Sequence, residues 1–235
     1  MGRAFEFRKA RKFKRWASMA KNFTRVGREI AIAVKGGGPD PENNPRLRMA
    51  MQNAKNVNMP KDRVMAAIKR ASDKDTSNYE EIVYEGYAPH GIAVVVDCAT
   101  DNPTRTVANV RHYFSKYGGS LGKTGSLSFL FNRKGIFKLN PEGLDLEELE
   151  LELIDAGLDE MKMEDDDLVL YVDFQDFGNM QSALEEKGLE VKSSELARIP
   201  LTTKEVTEEQ GAEIEKMLDK MEEDEDVLTV WTNLS

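Results

Sequence analysis

The chain is poor in the residues that most often carry chemistry, with a single cysteine, Cys98, and only two histidines, His90 and His112. One cysteine excludes an intrachain disulfide and suits a reducing compartment. These three residues show no CxxC or HxxxH spacing, so neither a structural zinc site nor any other metal is expected. Long apolar runs are missing too: none approaches the ~20 residues that a membrane span needs, so no membrane association is expected. Residues 1–14 are basic but lack the apolar stretch and small-residue cleavage site of a secretory signal. A transit-peptide reading is weakened because the same residues run straight into a patterned helix, and a cytoplasmic protein is expected.

Three features imitate reactive or ligand-binding sites. Gly118-Gly119-Ser120-Leu121-Gly122-Lys123-Thr124 approaches a phosphate-binding loop, but that pattern needs glycine where Tyr117 stands. A phosphate-binding loop also joins a strand to a following helix, whereas these glycines follow a helix and precede a strand. A C-cap and turn is the simpler reading, with Lys123 and free backbone N–H groups still open to a phosphate backbone. Cys98 lies in a valine-rich strand, where a thiol is usually inert core, and His112 sits beside Arg111 off the apolar stripe of its helix. Asp165-Asp166-Asp167 and the acidic stretch 147–152 read as a hairpin turn and a solvated helix face, and the glycine and terminal glutamate of an EF-hand loop are missing. No catalytic residue, cofactor or small-molecule substrate is expected, and the chain is read as a non-enzyme.

What the chain has is divided charge. Its net charge of −9 conceals a basic first third: residues 1–75 carry 19 Lys/Arg and 7 Asp/Glu, a net of +12, and the remainder carries −21. The first 35 residues hold eleven bases against only Glu6 and Glu29. Such asymmetry points to a polyanion partner for the basic part. Counterion release needs a local basic face rather than a basic protein, and a Debye length of about 8 Å keeps a distant acidic region from cancelling it.

The apolar pattern divides the chain further. Phe23, Val26, Ile30 and Val34 mark one helix stripe, stopped by Gly36-Gly37-Gly38. Asn44-Pro45 opens a second helix with Leu47, Met51 and Ala54 inward, and a third begins near Pro60 with Val64, Ala67, Ile68 and Ala71. After Ser77 the order becomes β–β–α–β. Strands are expected at Ile82–Tyr84 and Gly91–Cys98, then a helix opened by Asn102-Pro103 carrying Val107, Val110, Phe114 and Tyr117, then a strand over Ser126–Asn132. From Gly135 to Ala197 the order is βαββαβ, that of a ferredoxin-like unit. Its first strand is expected at Ile136–Leu139 and its helices carry Leu146, Leu149, Leu153 and Phe177, Met180, Leu184. A last helix with Ile214, Met217 and Met221 and a strand at Val227–Trp231 complete the earlier sheet. The expected architecture is therefore α+β: a basic arm (1–22), a three-helix bundle (23–76), an α/β domain (77–133 with 200–235) and a ferredoxin-like α/β domain inserted in it (134–199).

The arm gives the strongest functional signal. Arg8, Lys9, Arg11, Lys12, Lys14 and Arg15 are too dense for one helix face and can follow a curved phosphate backbone. Phe13 and Trp16 offer stacking surfaces for unpaired bases, or pack onto the bundle. Lys21, Arg25 and Arg28 extend the basic side away from the core stripe, and Arg46, Arg48 and Lys55 on the second helix suit either nucleic acid. The third helix carries few base-reading side chains, and no leucine-rich dimer seam is visible, so a monomer is expected rather than a paired duplex reader.

The ordered set Asn44-Pro45-Arg46-Leu47-Arg48, Asn58-Met59-Pro60-Lys61-Asp62, Tyr84-Glu85-Gly86-Tyr87, Asp101-Asn102, Arg105-Thr106, Arg111, Phe114-Ser115-Lys116 and Gly118-Gly119-Ser120-Leu121-Gly122 resembles the YebC family from about Phe23 to the C-terminus. That family includes bacterial YebC and PmpR and the mitochondrial translational activator of cytochrome c oxidase. The resemblance implies a helical bundle with two α/β domains, one inserted in the other. It also implies two activities: DNA binding as a transcriptional regulator, or action on the ribosome that helps difficult sequences such as proline runs through the peptidyl transferase centre. Many members begin Gly-His-Ser-Lys-Trp, whereas this chain reads Gly2-Arg3-Ala4-Phe5-Glu6-Phe7-Arg8, with a loose match resuming over Arg8–Lys14. A basic arm with aromatics, backed by acidic domains, suits a pocket of structured RNA better than a duplex groove. The favoured partner is therefore ribosomal RNA, with DNA as the alternative and a pure protein-interaction module as a third class.

Overall fold

A computed structural model describes residues 21–73 and 79–235 of the chain. Helix α1 covers residues 21–37 and buries Val26, Ile30 and Val34. It ends where Gly38 takes a positive φ of 85° that favours glycine, its N–H closing on Val34 O at 2.8 Å. Helices α2 (Pro45–Asn56) and α3 (Lys61–Ser72) follow. Asn44 caps α2 by accepting from Leu47 N at 3.0 Å. The same side chain donates to Ala33 O and Gly38 O at 2.7 and 2.8 Å, so one buried amide fastens the end of α1 to the start of α2. Leu47, Ala50, Ala54, Val64, Ile68 and Ala71 close this core. Met51, expected inside, is only partly buried, and Met49 points the other way, into the core of the second sheet.

The first sheet has the order β3-β1-β2-β8, antiparallel throughout, from β1 (Glu80–Ala88), β2 (Ile92–Thr100), β3 (Ser120–Leu121) and β8 (Val227–Thr232). Helices α4 (Pro103–Lys116) and α7 (Glu208–Glu222) cover one face with Val110, Phe114, Ile214, Met217 and Met221. Gly86 leaves room for this: a Cβ there would stand 2.5 Å from Ser120 O and 2.8 Å from the Phe114 ring. Asn102 caps α4 through Arg105 N, and Thr207 and Gln210 form a capping box on α7. On the other face, Ile32 of α1 packs with Ala99 and Leu228.

The second sheet has the order β5-β6-β4-β7, also antiparallel, from β4 (Phe131–Leu139), β5 (Leu158–Glu164), β6 (Asp167–Asp173) and β7 (Val191–Pro200). Helices α5 (Leu146–Leu153) and α6 (Phe177–Glu186) cover it, with Phe177 stacked on Phe137 at 4.7 Å. The molecule is thus a mixed α+β fold with seven helices and two four-stranded sheets among the described residues. None of these helices is long and apolar enough to cross a membrane.

One expected strand is corrected. Ser126–Asn132 does not form a strand; Ser128–Leu130 is a short 3-10 turn and β4 begins at Phe131, running unbroken through the expected start at Ile136. The cause is Glu85. Its buried carboxylate accepts from Gly125 N and Leu127 N, and its carbonyl accepts from Gly122 N, drawing those backbone groups away from any ladder. Residues 126–130 are therefore a turn with one anchored side chain, Leu127, which is fully buried, and only Phe131 and Asn132 of the expected strand belong to β4.

Candidate nucleic-acid interface

Helices α1 and α3 lie side by side and leave a groove of about 580 Å³ between them. Its floor is made of small residues, Gly27, Ala31, Ala66, Ala67 and Ala71, because the larger apolar side chains of both helices turn inward. Its rim is basic and aromatic: the Arg63 guanidinium lies 5.6 Å from the centre of the Phe23 ring, and Arg70 stands further along. Lys61, Arg63, Lys69 and Arg70 of α3 and Lys21 of α1 are all exposed. A shallow floor lets a phosphate backbone approach the helix axes, and the α3 cations on long stems reach it from that side.

The contact residues expected from the sequence separate into four groups. Arg8, Lys9, Arg11, Lys12, Lys14, Arg15 and Trp16 lie outside the described residues. Lys21 is exposed at the start of α1, and Lys55 is exposed in the last turn of α2. Arg25 is half-buried, and its charge acts on Glu29. The remaining three, Arg28, Arg46 and Arg48, each make contacts within the fold. Arg46 makes a two-pronged ion pair with Glu81 of β1, its Nη1 at 2.8 Å from Oε2. Arg48 donates to Pro41 O and Glu42 O at 2.8 and 2.9 Å and pairs with Glu185 of α6 at 3.0 Å.

Arg28 departs furthest from expectation. It is 8% exposed, and its Nη1 donates to Asp226 Oδ1 at 2.9 Å, to Ala99 O at 3.1 Å and to Glu225 O. Asp226 also accepts from Arg105 at 2.8 Å, from Thr106 Oγ1 at 2.8 Å and from Thr100 Oγ1 at 3.2 Å. Burial alone would raise the Asp226 carboxyl. The hydrogen bonds from Arg105 and Thr106 and the Arg28 and Arg105 charges outweigh it and hold the group below the usual carboxylate range. A buried carboxylate so surrounded is a joint between the bundle and the first sheet, and it leaves Arg28 no freedom to meet a phosphate.

Arg63, Lys69 and Arg70 were missed because α3 seemed to carry few base-reading side chains. Their signal was present in the stripe Val64, Ile68, Ala71, which leaves positions 63, 69 and 70 off the core. Elsewhere, Gly119 N bonds Phe114 O at 2.8 Å, so the glycine run caps α4 and turns into β3, with Lys123 exposed beyond it. Cys98 is buried, and burial followed by the charges of Asp224 and Asp97 pushes its thiol well up. His112 is exposed and His90 lies 3.0 Å from Glu213. Among the described residues no group of three or more His, Cys, Asp or Glu is placed to hold a metal ion.

The comparisons with known proteins match the whole length. Residues 3–74 match the model of the TACO1/YebC protein N-terminal domain, and residues 79–234 that of the TACO1/YebC second and third domain. A "probable transcriptional regulatory protein" of Parabacteroides distasonis is 60% identical, covering 100% of this chain and 97% of its own length. One of the same description from Flavobacterium johnsoniae is 55% identical over 98% of each chain. The crystal structure of a conserved hypothetical protein from Aquifex aeolicus superposes with a TM-score of 0.79 at 36% identity, covering 92% of this chain and 90% of that one.

Proposed function

Since the chain belongs to the TACO1/YebC family, we propose that it is a nucleic-acid-binding regulator of gene expression that works on the ribosome, gripping ribosomal RNA with its basic N-terminal region. The observation that carries the reading is the exposed cations of the α1–α3 groove, on a chain whose sequence is also basic over 8–15 and strongly acidic after residue 75. In this reading the contact set is Arg8, Lys9, Arg11, Lys12, Lys14, Arg15, Trp16, Lys21, Lys55, Arg63 and Lys69. Residues 1–22 act as the arm and 23–76 as the bundle. Residues 77–133 with 200–235 form one α/β domain and 134–199 a ferredoxin-like domain inserted in it; together they set reach and orientation. The protein acts as a monomer and stimulates by positioning substrates rather than by side-chain acid–base chemistry.

A second reading, a DNA-binding transcriptional regulator, is favoured by the printed description of the relatives. Ultraviolet crosslinking in living cells followed by sequencing of the attached nucleic acid separates the two. Ribosomal RNA clustered near the peptidyl transferase centre is the expected recovery, whereas chromosomal DNA at a few promoters would replace the first reading with the second.

A further inference from the structure

On the side of the bundle away from the basic groove, a crevice of about 830 Å³ lies between α1, α2 and both sheets. Two ion pairs lie in it, Arg46 with Glu81 and Arg198 of β7 with Asp97 of β2 at 2.9 Å, and Trp231 of β8 donates its indole N–H to the same Asp97 carboxylate at 2.7 Å. Two of the other lining groups bear on a ligand. Glu29 Oε2 is buried without a hydrogen-bond partner, although the Asn53 amide bonds the carboxyl group. Arg133 of β4 has no ion pair among the described residues; its guanidinium rests 3.7 Å from the centre of the Phe174 ring, which is itself 37% exposed.

Each unmatched group narrows the ligand. The Arg133 guanidinium has no ion pair, and burial followed by the Arg198 charge lowers its pKa against the nearby Asp97 and Glu81 charges, so its N–H groups can take an anion. The Phe174 ring carries the Arg133 guanidinium on one face and, at 37% exposed, offers its remaining open surface to a planar group. The Glu29 oxygen left without a partner, with the Asn53 amide beside it, supplies a polar edge of two groups. A bare anion satisfies only the arginine, and an apolar ligand leaves Glu29 still unpaired. A nucleotide has an anion, a planar face and a polar edge, and unpaired nucleotides are recognised by such a combination of charge, stacking and edge bonds. The volume lies within the ~300–1,000 Å³ of small-ligand pockets.

We propose that this crevice binds a single unpaired nucleotide, its phosphate on Arg133, its base against Phe174 and Trp231, and its base edge towards Glu29 and Asn53. The site is independent of the basic groove, since a free mononucleotide suffices to fill it. The experiment is calorimetric titration of the full chain with adenosine and uridine 5′-monophosphates and with inorganic phosphate, joined to photolabelling with 8-azidoadenosine 5′-monophosphate and peptide mapping. Saturable binding with a Kd below about 1 mM is expected for at least one nucleotide. Arg133→Ala, an exposed position, should weaken it by about tenfold or more, Phe174→Leu should weaken it too, and label should fall on the peptides holding Phe174 or Trp231. The proposal is overturned by the absence of binding with both nucleotides, by inorganic phosphate binding as tightly as either, or by an Arg133→Ala titration that matches the parent. Label confined to the peptides of α1 and α3 around Lys21 and Arg63 would also overturn it, placing the nucleotide on the basic groove and leaving the RNA-binding reading intact.

Discussion

Two sets of cations on the same small bundle meet opposite fates. Arg28, Arg46 and Arg48 point at other parts of the chain and find carboxylates or carbonyls there, while Lys21, Arg63 and Lys69 point outward on the α1–α3 side. All three inward residues are arginines, and the planar fork of a guanidinium suits them to bridging several acceptors at once, as Arg28 does with Asp226, Ala99 and Glu225. The outward set mixes lysine with arginine, as a phosphate-facing surface tolerates. A basic helix therefore has two roles to fill, and net charge alone does not say which residue fills which.

The comparison breaks most sharply at Asp226. Asp226→Ala strands the buried Arg28 charge at the joint, whereas the exposed Arg105 can turn to water, and removal of one partner from a buried pair costs about 3–5 kcal/mol. Urea denaturation should show a midpoint lowered accordingly. An unchanged midpoint would mean that Arg28 is not structural and belongs with the outward set after all.

Charge reversal of the basic segment 8–15 should do the converse. Lys9, Arg11, Lys12 and Lys14 changed together to glutamate should abolish RNA binding while the denaturation midpoint stays put. Arg63→Ala with Lys69→Ala should weaken binding more mildly and reduce the slope of log affinity against log salt by about 0.7 per lost phosphate contact on a single strand. Filter binding at several salt concentrations reads both. Unchanged RNA affinity in the arm variant would remove the arm from the interface.

Two carboxyls near the inward set should give opposite pH responses. The Asp226 carboxyl is depressed in the folded state, so its stabilisation is present above the unfolded value near ~3.9 and is lost as pH falls through the folded value. Glu29 is raised by burial, so its contribution is present below the unfolded value near ~4.3 and is lost as pH rises through the folded one. Asp226→Asn should flatten the acid limb of the stability profile, and Glu29→Gln should remove the decline just above it. A Glu29→Gln profile superposable on the parent's would show that this carboxyl is not shifted.

The elements were legible where a single helix or strand records its own inner face. The stripes of α1, α4, α6 and α7, the cap residues Asn44 and Asn102, and the two strands flanking the Asp165-Asp166 turn all follow from local periodicity and end chemistry. What periodicity does not record is a second interior. Arg28 lies off the bundle's stripe and so reads as solvated, but the first sheet waits there with a carboxylate nearly two hundred residues away. Met49 escapes for the same reason, being off one core and inside another. The span 126–132 alternates like a strand, and only Glu85, forty residues upstream, turns it into a loop. The crevice was invisible because Glu29, Arg133, Phe174 and Trp231 meet only after both sheets and the bundle are assembled.

Arg46 is the residue on which the two sets can be compared within one side chain. It is paired with Glu81, yet its side chain is 39% exposed and that of Glu81 is 44% exposed. Its guanidinium is raised in pKa first by the hydrogen bond to Glu81, against the desolvation of its partly covered position. Solvent screening limits such a pair to about 0.2–1 kcal/mol in a double-mutant cycle, well below the Asp226 effect. Arg46→Ala, Glu81→Ala and the double variant measured by urea denaturation should return a coupling in that range, with RNA affinity unchanged in all three. If Glu81→Ala instead strengthens RNA binding and Arg46→Ala weakens it, Glu81 is holding Arg46 away from the nucleic acid, and the boundary between structural and binding cations runs through α2 rather than around it.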